Sequence, residues 1–174
     1  PADRPGQQVV QKIFELSREE AFRGRVILLE NYDMRMGRML VQGVDVWLHT
    51  PRRPLEASGT SGQKVAMNGA LNFSIADGWW PEGFNGTNGW VIGEDRSYDD
   101  EGQQDREDAA SLYDILEHQV LPLYYERPEG EVPKPWVERM REAITTLTPR
   151  FSAARMVADY AEKADVPAAR RGRG

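Results

Sequence analysis

Residues 56–64 (EASGTSGQK) contain the residue types that form an anion-binding loop at the start of a helix. Gly59 and Gly62 let the backbone turn tightly and approach a ligand closely. Hydroxyl residues that favour the start of a helix accompany the glycines: Ser58, Thr60 and Ser61. The unpaired amides of a helix's first turn and the positive end of its dipole favour a phosphate there. This loop is therefore a candidate phosphate site.

Lys64 follows the loop, in the first turn of a short helix that the sequence predicts over residues 63–70. The dipole disfavours the lysine's own charge at that position, and a partly desolvated lysine is a candidate for a Schiff base. The spacing matches neither the Walker loop nor the dinucleotide-binding turn. A plain Gly/Ser loop that caps a helix and leaves the lysine exposed is the alternative.

The composition excludes several other classes of function. A length of 174 residues with 40% hydrophobic residues suffices for one folded domain, and the net charge of -6 argues against general nucleic-acid or anionic-membrane binding. Cysteine is absent, and His49 and His118 are too far apart in sequence for a metal-ligand pattern, so we predict no metal site. The sequence has no long apolar stretch or signal-peptide pattern, which makes the cytoplasm the default location.

An alternation of helices and strands positions the loop. The predicted order begins with a loop over 1–6, a helix from 9 to 24, a strand over 25–30 and a helix over 34–43. A strand over 44–48 then precedes the glycine-rich loop and its helix, and a strand over 71–75 follows them. This order predicts an α/β fold with a Rossmann-like, doubly wound parallel sheet. Ligands bind beyond the carboxyl ends of such strands, where residues 30–33, 49–61 and 77–78 fall.

The second half of the chain begins with a long loop over residues 77–90, which contains three tryptophans. Their aromatic faces suit a sugar, and a packed loop that closes one end of the sheet is the alternative. A short strand is predicted at 91–93. The predicted organisation is an α/β part over 1–93, a solvated acidic linker over 94–108, bracing helices of the same domain over 109–164 with a break or kink at Pro122, and a disordered basic tail over 165–174.

Several segments together resemble the pyridoxal-phosphate region of the α-glucan phosphorylases, the family of glycogen, starch and maltodextrin phosphorylases. They are residues 56–64, 67–71 (MNGAL) and 77–80 (DGWW), with residues 29–33 and 44–48 at the family's spacing. The resemblance covers nearly all of this chain but only a small C-terminal part of such an enzyme. It implies a fragment of a bacterial-type member that lacks its N-terminal domain and forms most of the second Rossmann-like domain of a GT-B fold.

The resemblance also implies a reaction and a set of site residues. Family enzymes transfer the terminal glucosyl unit of an α-1,4-glucan to inorganic phosphate, which gives α-glucose 1-phosphate, and full-length members are often homodimers. Their cofactor is pyridoxal 5'-phosphate, whose phosphate group exchanges a proton with the substrate phosphate. By matching position, Lys64 would bind the cofactor as an imine, the amides of Thr60 and Ser61 would hold its phosphate, and Tyr32 would line its pocket. The matching glucosyl-binding residues are Glu56, Ala57, Ser58 and Gly59.

The resemblance does not decide whether the site is complete in this chain, what two arginines near the loop contact, or which of three functions the chain has. The family's lysine and arginine that bind the substrate phosphate lie upstream of Pro1, so we expect the isolated chain to be inactive. Arg52 and Arg53 are nearby cations that face either the site or the solvent. The alternative functions are a GT-B transferase that uses a sugar nucleotide, such as a glycogen synthase, which needs no imine lysine, and a non-catalytic fragment of a phosphorylase.

Overall fold

The computed structural model describes residues 3–128 and 130–171, in two compact units that meet in sequence between Arg38 and Met39. The helices are α1 (Arg4–Arg18), α2 (Met34–Gly43), α3 (Thr60–Met67), α4 (Trp80–Gly83), α5 (Glu101–Ile115), α6 (Leu121–Tyr125), α7 (Lys134–Arg150), α8 (Ala153–Tyr160) and α9 (Val166–Arg171), and the strands are β1 (Val46–His49), β2 (Leu71–Ile75) and β3 (Gly89–Ile92). Two π-helical segments, Leu116–Val120 and Ala161–Asp165, connect α5 to α6 and α8 to α9.

Helix α1 begins within the segment for which the sequence predicted a loop. The Asp3 side chain accepts a hydrogen bond from the Gly6 amide at 2.9 Å, and Pro5 lies in the first turn. Proline suits that turn, because its missing N–H would have no acceptor within the helix and its φ angle is already helical. The prediction of a loop over 1–6 is therefore wrong from Arg4 onward, while residues 1 and 2 lie outside the described residues.

The strand predicted over residues 25–30 is not formed. Hydrogen-bonded turns run to Val26, and the apolar run after them has no regular structure, with Ile27 69% and Leu29 48% exposed. A strand needs a neighbour that pairs with its backbone N–H and C=O groups. In the part of the chain that the structure describes, no strand pairs with these residues, so the apolar pattern alone does not produce a strand.

The second unit contains a three-stranded parallel sheet in the order β1-β2-β3. Val46 of β1 pairs with Leu71 of β2, and Ser74 of β2 pairs with Val91 of β3. Every residue of the central strand β2 is buried, as expected where both faces of a parallel sheet are covered. The predicted α/β class is confirmed, and the sheet with its helices agrees with a Rossmann-like arrangement.

The tryptophans of the loop after β2 belong to the hydrophobic core. Trp79, Trp80 and Trp90 are only 6%, 0% and 3% exposed. The Trp80 indole Nε1 donates a hydrogen bond to the Trp90 carbonyl at 3.0 Å, which satisfies its polar group in the core. The packed-loop interpretation is therefore correct for these side chains, and they present no aromatic surface to a sugar.

The predicted acidic linker differs from the structure in its second half, where α5 begins at Glu101. The Asp100 side chain caps this helix by accepting a hydrogen bond from the Gly102 amide at 2.9 Å. Carboxylates in a first turn interact favourably with the helix dipole, and Glu101 is also paired with Arg52. The acids thus stabilise a helix that begins within the predicted linker.

Both π-helical segments end directly before an X-Pro step. The Leu121 amide bonds to the Leu116 carbonyl ahead of Pro122, and the Val166 amide bonds to the Ala161 carbonyl ahead of Pro167. Because proline has no N–H to give, the helix widens by one residue and continues through Pro122, so the helix does not break there, where the sequence predicted a break or kink. The chain is helical through Arg171, where the sequence predicted disorder from 165; residues 172–174 lie outside the described residues.

Candidate functional site

The glycine-rich loop ends at Gly59, which is the residue before α3 and has a φ of 84°. This left-handed conformation favours glycine. Helix α3 begins at Thr60, three residues earlier than predicted. Thr60 and Ser61 therefore lie in its first turn, where backbone amides have no acceptor within the helix and can bind an anion.

Lys64 lies on the second turn of α3 and is exposed. The prediction that it occupies the first turn and is partly desolvated is wrong in this chain, because the helix starts at Thr60 rather than at Gln63. Its ammonium group is thus not destabilised by the positive end of the dipole, which acts mainly within one turn. The structure places Lys64 one turn after the two free amides of the loop.

Gly62 fixes the first turn of α3 against the sheet. Its carbonyl accepts a hydrogen bond from the buried Asn72 side chain at 3.0 Å. A Cβ at Gly62 would lie 2.6 Å from Asn72 Oδ1 and 2.9 Å from Trp79 Nε1, closer than packed atoms allow. The absence of a side chain at Gly62 is therefore what allows the loop backbone to pack directly over β2.

Asp77 connects the Glu56 segment to the turn that follows β2. Its carboxylate accepts hydrogen bonds from the Glu56 amide and from the Gly78 amide, both at 2.9 Å. The Trp79 amide donates to the Ser58 carbonyl at 2.9 Å, and Gly78 adopts a φ of 58° where a Cβ would lie 2.4 Å from that carbonyl oxygen. The two segments form one hydrogen-bonded unit at the carboxyl end of β2.

We expect Asp77→Asn to loosen this unit, since the amide side chain offers one acceptor oxygen and turns an N–H group toward the second backbone amide. Loss of one hydrogen bond to a charged group should cost about 1.5 to 3 kcal/mol of local stability. Hydrogen exchange of the Glu56 and Gly78 amides measures this cost. Asp99→Asn, at an exposed position outside the loop, is the control, and equal exchange rates in the two variants would contradict the role of Asp77.

His49 is a neighbour of Glu56 that the sequence did not assign to the site. Its Nε2 lies 3.7 Å from Glu56 Oε2, and both side chains are about 30% exposed. A Cβ at Gly59 would lie 3.4 Å from the His49 ring, so the ring also lies beside the loop backbone. The position of His49 at the end of β1 could have indicated that it lies near the site, because the ends of parallel strands lie side by side.

Arg52 and Arg53 are both paired with carboxylates. Arg52 contacts Glu101 at 2.7 Å and Asp105 at 2.8 Å, and Arg53 pairs with Asp95. A cavity of about 390 Å³ lies beside Arg52, between the strand ends and α5, and Glu56 and Lys64 do not line it. Burial raises the pKa of Asp108 in its wall. The two arginines are thus already neutralised by acids of this chain.

Tyr32 belongs to the first unit, where it is 63% exposed and its hydroxyl lies 2.6 Å from the position of a Cβ at Gly37. The next residue, Asp33, accepts a hydrogen bond from the Met36 amide at 2.8 Å, at the start of α2. Asp33 therefore has a local role as a helix cap.

The residues that the structure describes contain no group of three or more His, Cys, Asp or Glu side chains that is arranged to hold a metal ion. None of their helices is long and apolar enough to cross a membrane.

The chain is similar in sequence to several bacterial and archaeal proteins. It is 50% identical to a glycogen phosphorylase of Aquifex aeolicus over 163 residues, 94% of this chain and 23% of that protein. It is 49% identical to a maltodextrin phosphorylase of Thermococcus litoralis over 164 residues (94% and 19%), and 48% identical to a glycogen phosphorylase of Mycobacterium bovis over 169 residues (97% and 20%). The chain therefore spans about a fifth of the length of these relatives. No family model matches it.

Proposed function

Because this chain belongs to the α-glucan phosphorylase family, we propose that the protein containing it is an α-glucan phosphorylase. Such an enzyme transfers the terminal glucosyl unit of glycogen, starch or maltodextrin to inorganic phosphate and releases α-glucose 1-phosphate. The proposal includes a cytoplasmic homodimer that uses pyridoxal 5'-phosphate. The observation that carries it is the identity of 48–50% across nearly the whole chain, including the loop of residues 56–64.

The residues present fit the proposed cofactor. The start of α3 offers the amides of Thr60 and Ser61 to a phosphate group, and the left-handed conformation of Gly59 brings the chain into that helix start. Lys64 follows on the next turn and would hold the cofactor through its Nζ atom. When bound, pyridoxal phosphate supplies a phosphate group that exchanges a proton with the substrate phosphate.

The Glu56 loop would bind the glucosyl unit. The Glu56 carboxylate is about 30% exposed beside His49 and would accept hydrogen bonds from sugar hydroxyls, while the amides of Ala57, Ser58 and Gly59 would donate them. The Asp77 carboxylate holds the Glu56 backbone in place. Because the backbone of this loop is already ordered, binding a sugar costs little further conformational entropy. This favours both affinity and correct orientation of the reacting sugar.

Cations for the substrate phosphate must come from another part of the full-length protein under this proposal. Two phosphate groups side by side repel each other unless positive charge offsets the repulsion. Arg52 and Arg53 already pair with Glu101, Asp105 and Asp95, and so they are poor candidates for that role. This supports a site that is completed by residues outside this chain.

The test is an assay of the purified full-length protein with maltodextrin and glycogen. We expect release of glucose 1-phosphate that depends on inorganic phosphate. Transfer of glucose from ADP-glucose or UDP-glucose, without phosphorolysis, would instead support the sugar-nucleotide transferase. A folded protein that shows neither reaction would overturn the proposal.

A further inference from the structure

Residues 50–55, which join β1 to Glu56, are tied to α5 by an arginine. The Arg52 guanidinium donates to both carboxylate oxygens of Asp105, at 2.8 and 3.1 Å, and to Glu101 Oε2 at 2.7 Å. A bidentate pair of this kind fixes the orientation of both side chains. The Leu55 amide in turn donates to the Arg52 carbonyl at 3.0 Å, which closes a turn immediately before Glu56.

The neighbouring residue contacts α5 through its backbone carbonyl, and its side chain pairs with an acid that precedes the helix. Arg53 pairs with Asp95, and its carbonyl accepts a hydrogen bond from the Gln104 side chain at 3.4 Å. Gln104 is only 3% exposed, so its side chain is held in a defined position on α5. The segment before Glu56 is thus fixed to α5, while Asp77 fixes the Glu56 backbone from the β2 side.

We propose that Arg52 is a positioning residue for the glucosyl-binding loop, which it holds against Asp105 and Glu101 of α5. The inference depends on the proposed function, since it concerns the same loop. Arg52 does not contact the sugar in this scheme; it keeps the turn at residues 52–55 in the conformation that places Glu56 at the site. Without it, the binding-competent conformation of the loop is populated for a smaller fraction of the time.

The ionic nature of the attachment has a measurable consequence. Exposed single ion pairs contribute little to stability. Here, however, one guanidinium binds two carboxylates, so the entropy lost in ordering the Arg52 side chain is offset by three hydrogen bonds. All three side chains are partly exposed, so salt screens their attraction. Glucosyl binding should therefore weaken as ionic strength rises.

The experiment compares Arg52→Gln with Arg96→Gln in the full-length protein. Arg96 is the matched control, because it pairs with Glu107 on the same helix but lies outside the segment that leads to Glu56. A lower population of the competent loop weakens apparent affinity, so Arg52→Gln should raise the KM for glucose 1-phosphate about threefold to tenfold, with kcat changed less than about twofold. The KM for inorganic phosphate in phosphorolysis, the thermal midpoint and the control should change little.

Further variants separate positioning from other roles. Asp105→Asn should reproduce much of the rise in the KM for glucose 1-phosphate, and the double variant should show no larger rise than Arg52→Gln alone. Arg52→Lys should bring this KM only part of the way back to the wild-type value. In Arg52→Gln the KM for glucose 1-phosphate should depend less on salt than in the wild-type protein, and the dependence that remains should come from binding of the phosphate group. A rise confined to the KM for phosphate would show direct phosphate binding, and equal kinetics in Arg52→Gln and Arg96→Gln would show a surface pair; either result overturns the inference. A wild-type protein without phosphorolysis would instead reject the proposed function.

Discussion

Replacing Lys64 with alanine in the full-length protein is expected to abolish retention of pyridoxal phosphate. The lysine is the only covalent attachment in the proposed site, and without it the cofactor would be held by its phosphate contacts at the start of α3, chiefly the amides of Thr60 and Ser61. Such contacts exchange freely with solvent phosphate. Cofactor content after desalting, measured by absorbance, should fall from about one per chain to near zero.

Borohydride reduction of the wild-type protein, followed by peptide mass mapping, locates the attachment directly. The expected adduct lies on the peptide that contains Lys64. Lys134→Ala is the matched control, because Lys134 opens α7 at an exposed position outside the loop, and it should retain its cofactor. Near-normal cofactor content in Lys64→Ala would end the assignment. An unmodified wild-type protein that is nevertheless folded would favour the sugar-nucleotide or non-catalytic alternatives.

Local sequence patterns were sufficient where the segment's own neighbours decide its structure. The helix over 34–43 was predicted with its boundaries, because its apolar spacing and Gly43 are local signals. The strand over 71–75 was also predicted with its boundaries, since apolar residues at alternate positions of a short segment suit a strand. In β2 burial acted in the same direction as this local pattern, whereas no residue of α2 is buried.

The pattern failed where distant partners decide the structure. Residues 25–30 are as apolar as a buried strand, yet a strand forms only beside another strand. The acids of 94–108 repel one another in isolation, but Asp100 caps α5 and Arg52 neutralises Glu101 and Asp105 across about fifty residues of sequence. The cap by Asp100 is a local signal that the segment contains, whereas the contacts with Arg52 cannot be predicted from the segment itself.

The candidate site shows the same division. The loop residues were identified by type and by family resemblance, whereas α3 begins at Thr60 and not at Gln63, directly after the left-handed residue Gly59. Lys64 therefore lies in the second turn and not in the first. The sequence placed His49 and Asp77 at the carboxyl ends of predicted strands, but it did not predict the contacts of either residue with Glu56, which depend on how the strand ends meet in the sheet.

The Glu56→Gln substitution should weaken glucosyl binding by about 1 to 3 kcal/mol, or roughly fivefold to 150-fold in affinity. Glutamine keeps the size of the side chain but replaces one charged acceptor oxygen with an N–H group. Sugar hydroxyls that donate to the carboxylate would then lose a strong hydrogen bond. The measurement is the KM for glucose 1-phosphate, together with direct calorimetric binding of glucose to the full-length protein.

Glu82→Gln is the control for this change, because Glu82 is an exposed carboxylate on α4. It carries the same loss of charge at a position outside the Glu56 loop, so general electrostatic effects should be equal in the two variants. Unchanged glucose binding in Glu56→Gln would remove Glu56 from the sugar site. The Glu56 backbone bond to Asp77 does not involve the substituted atoms, so the loop itself should stay in place and the loss can be assigned to the carboxylate.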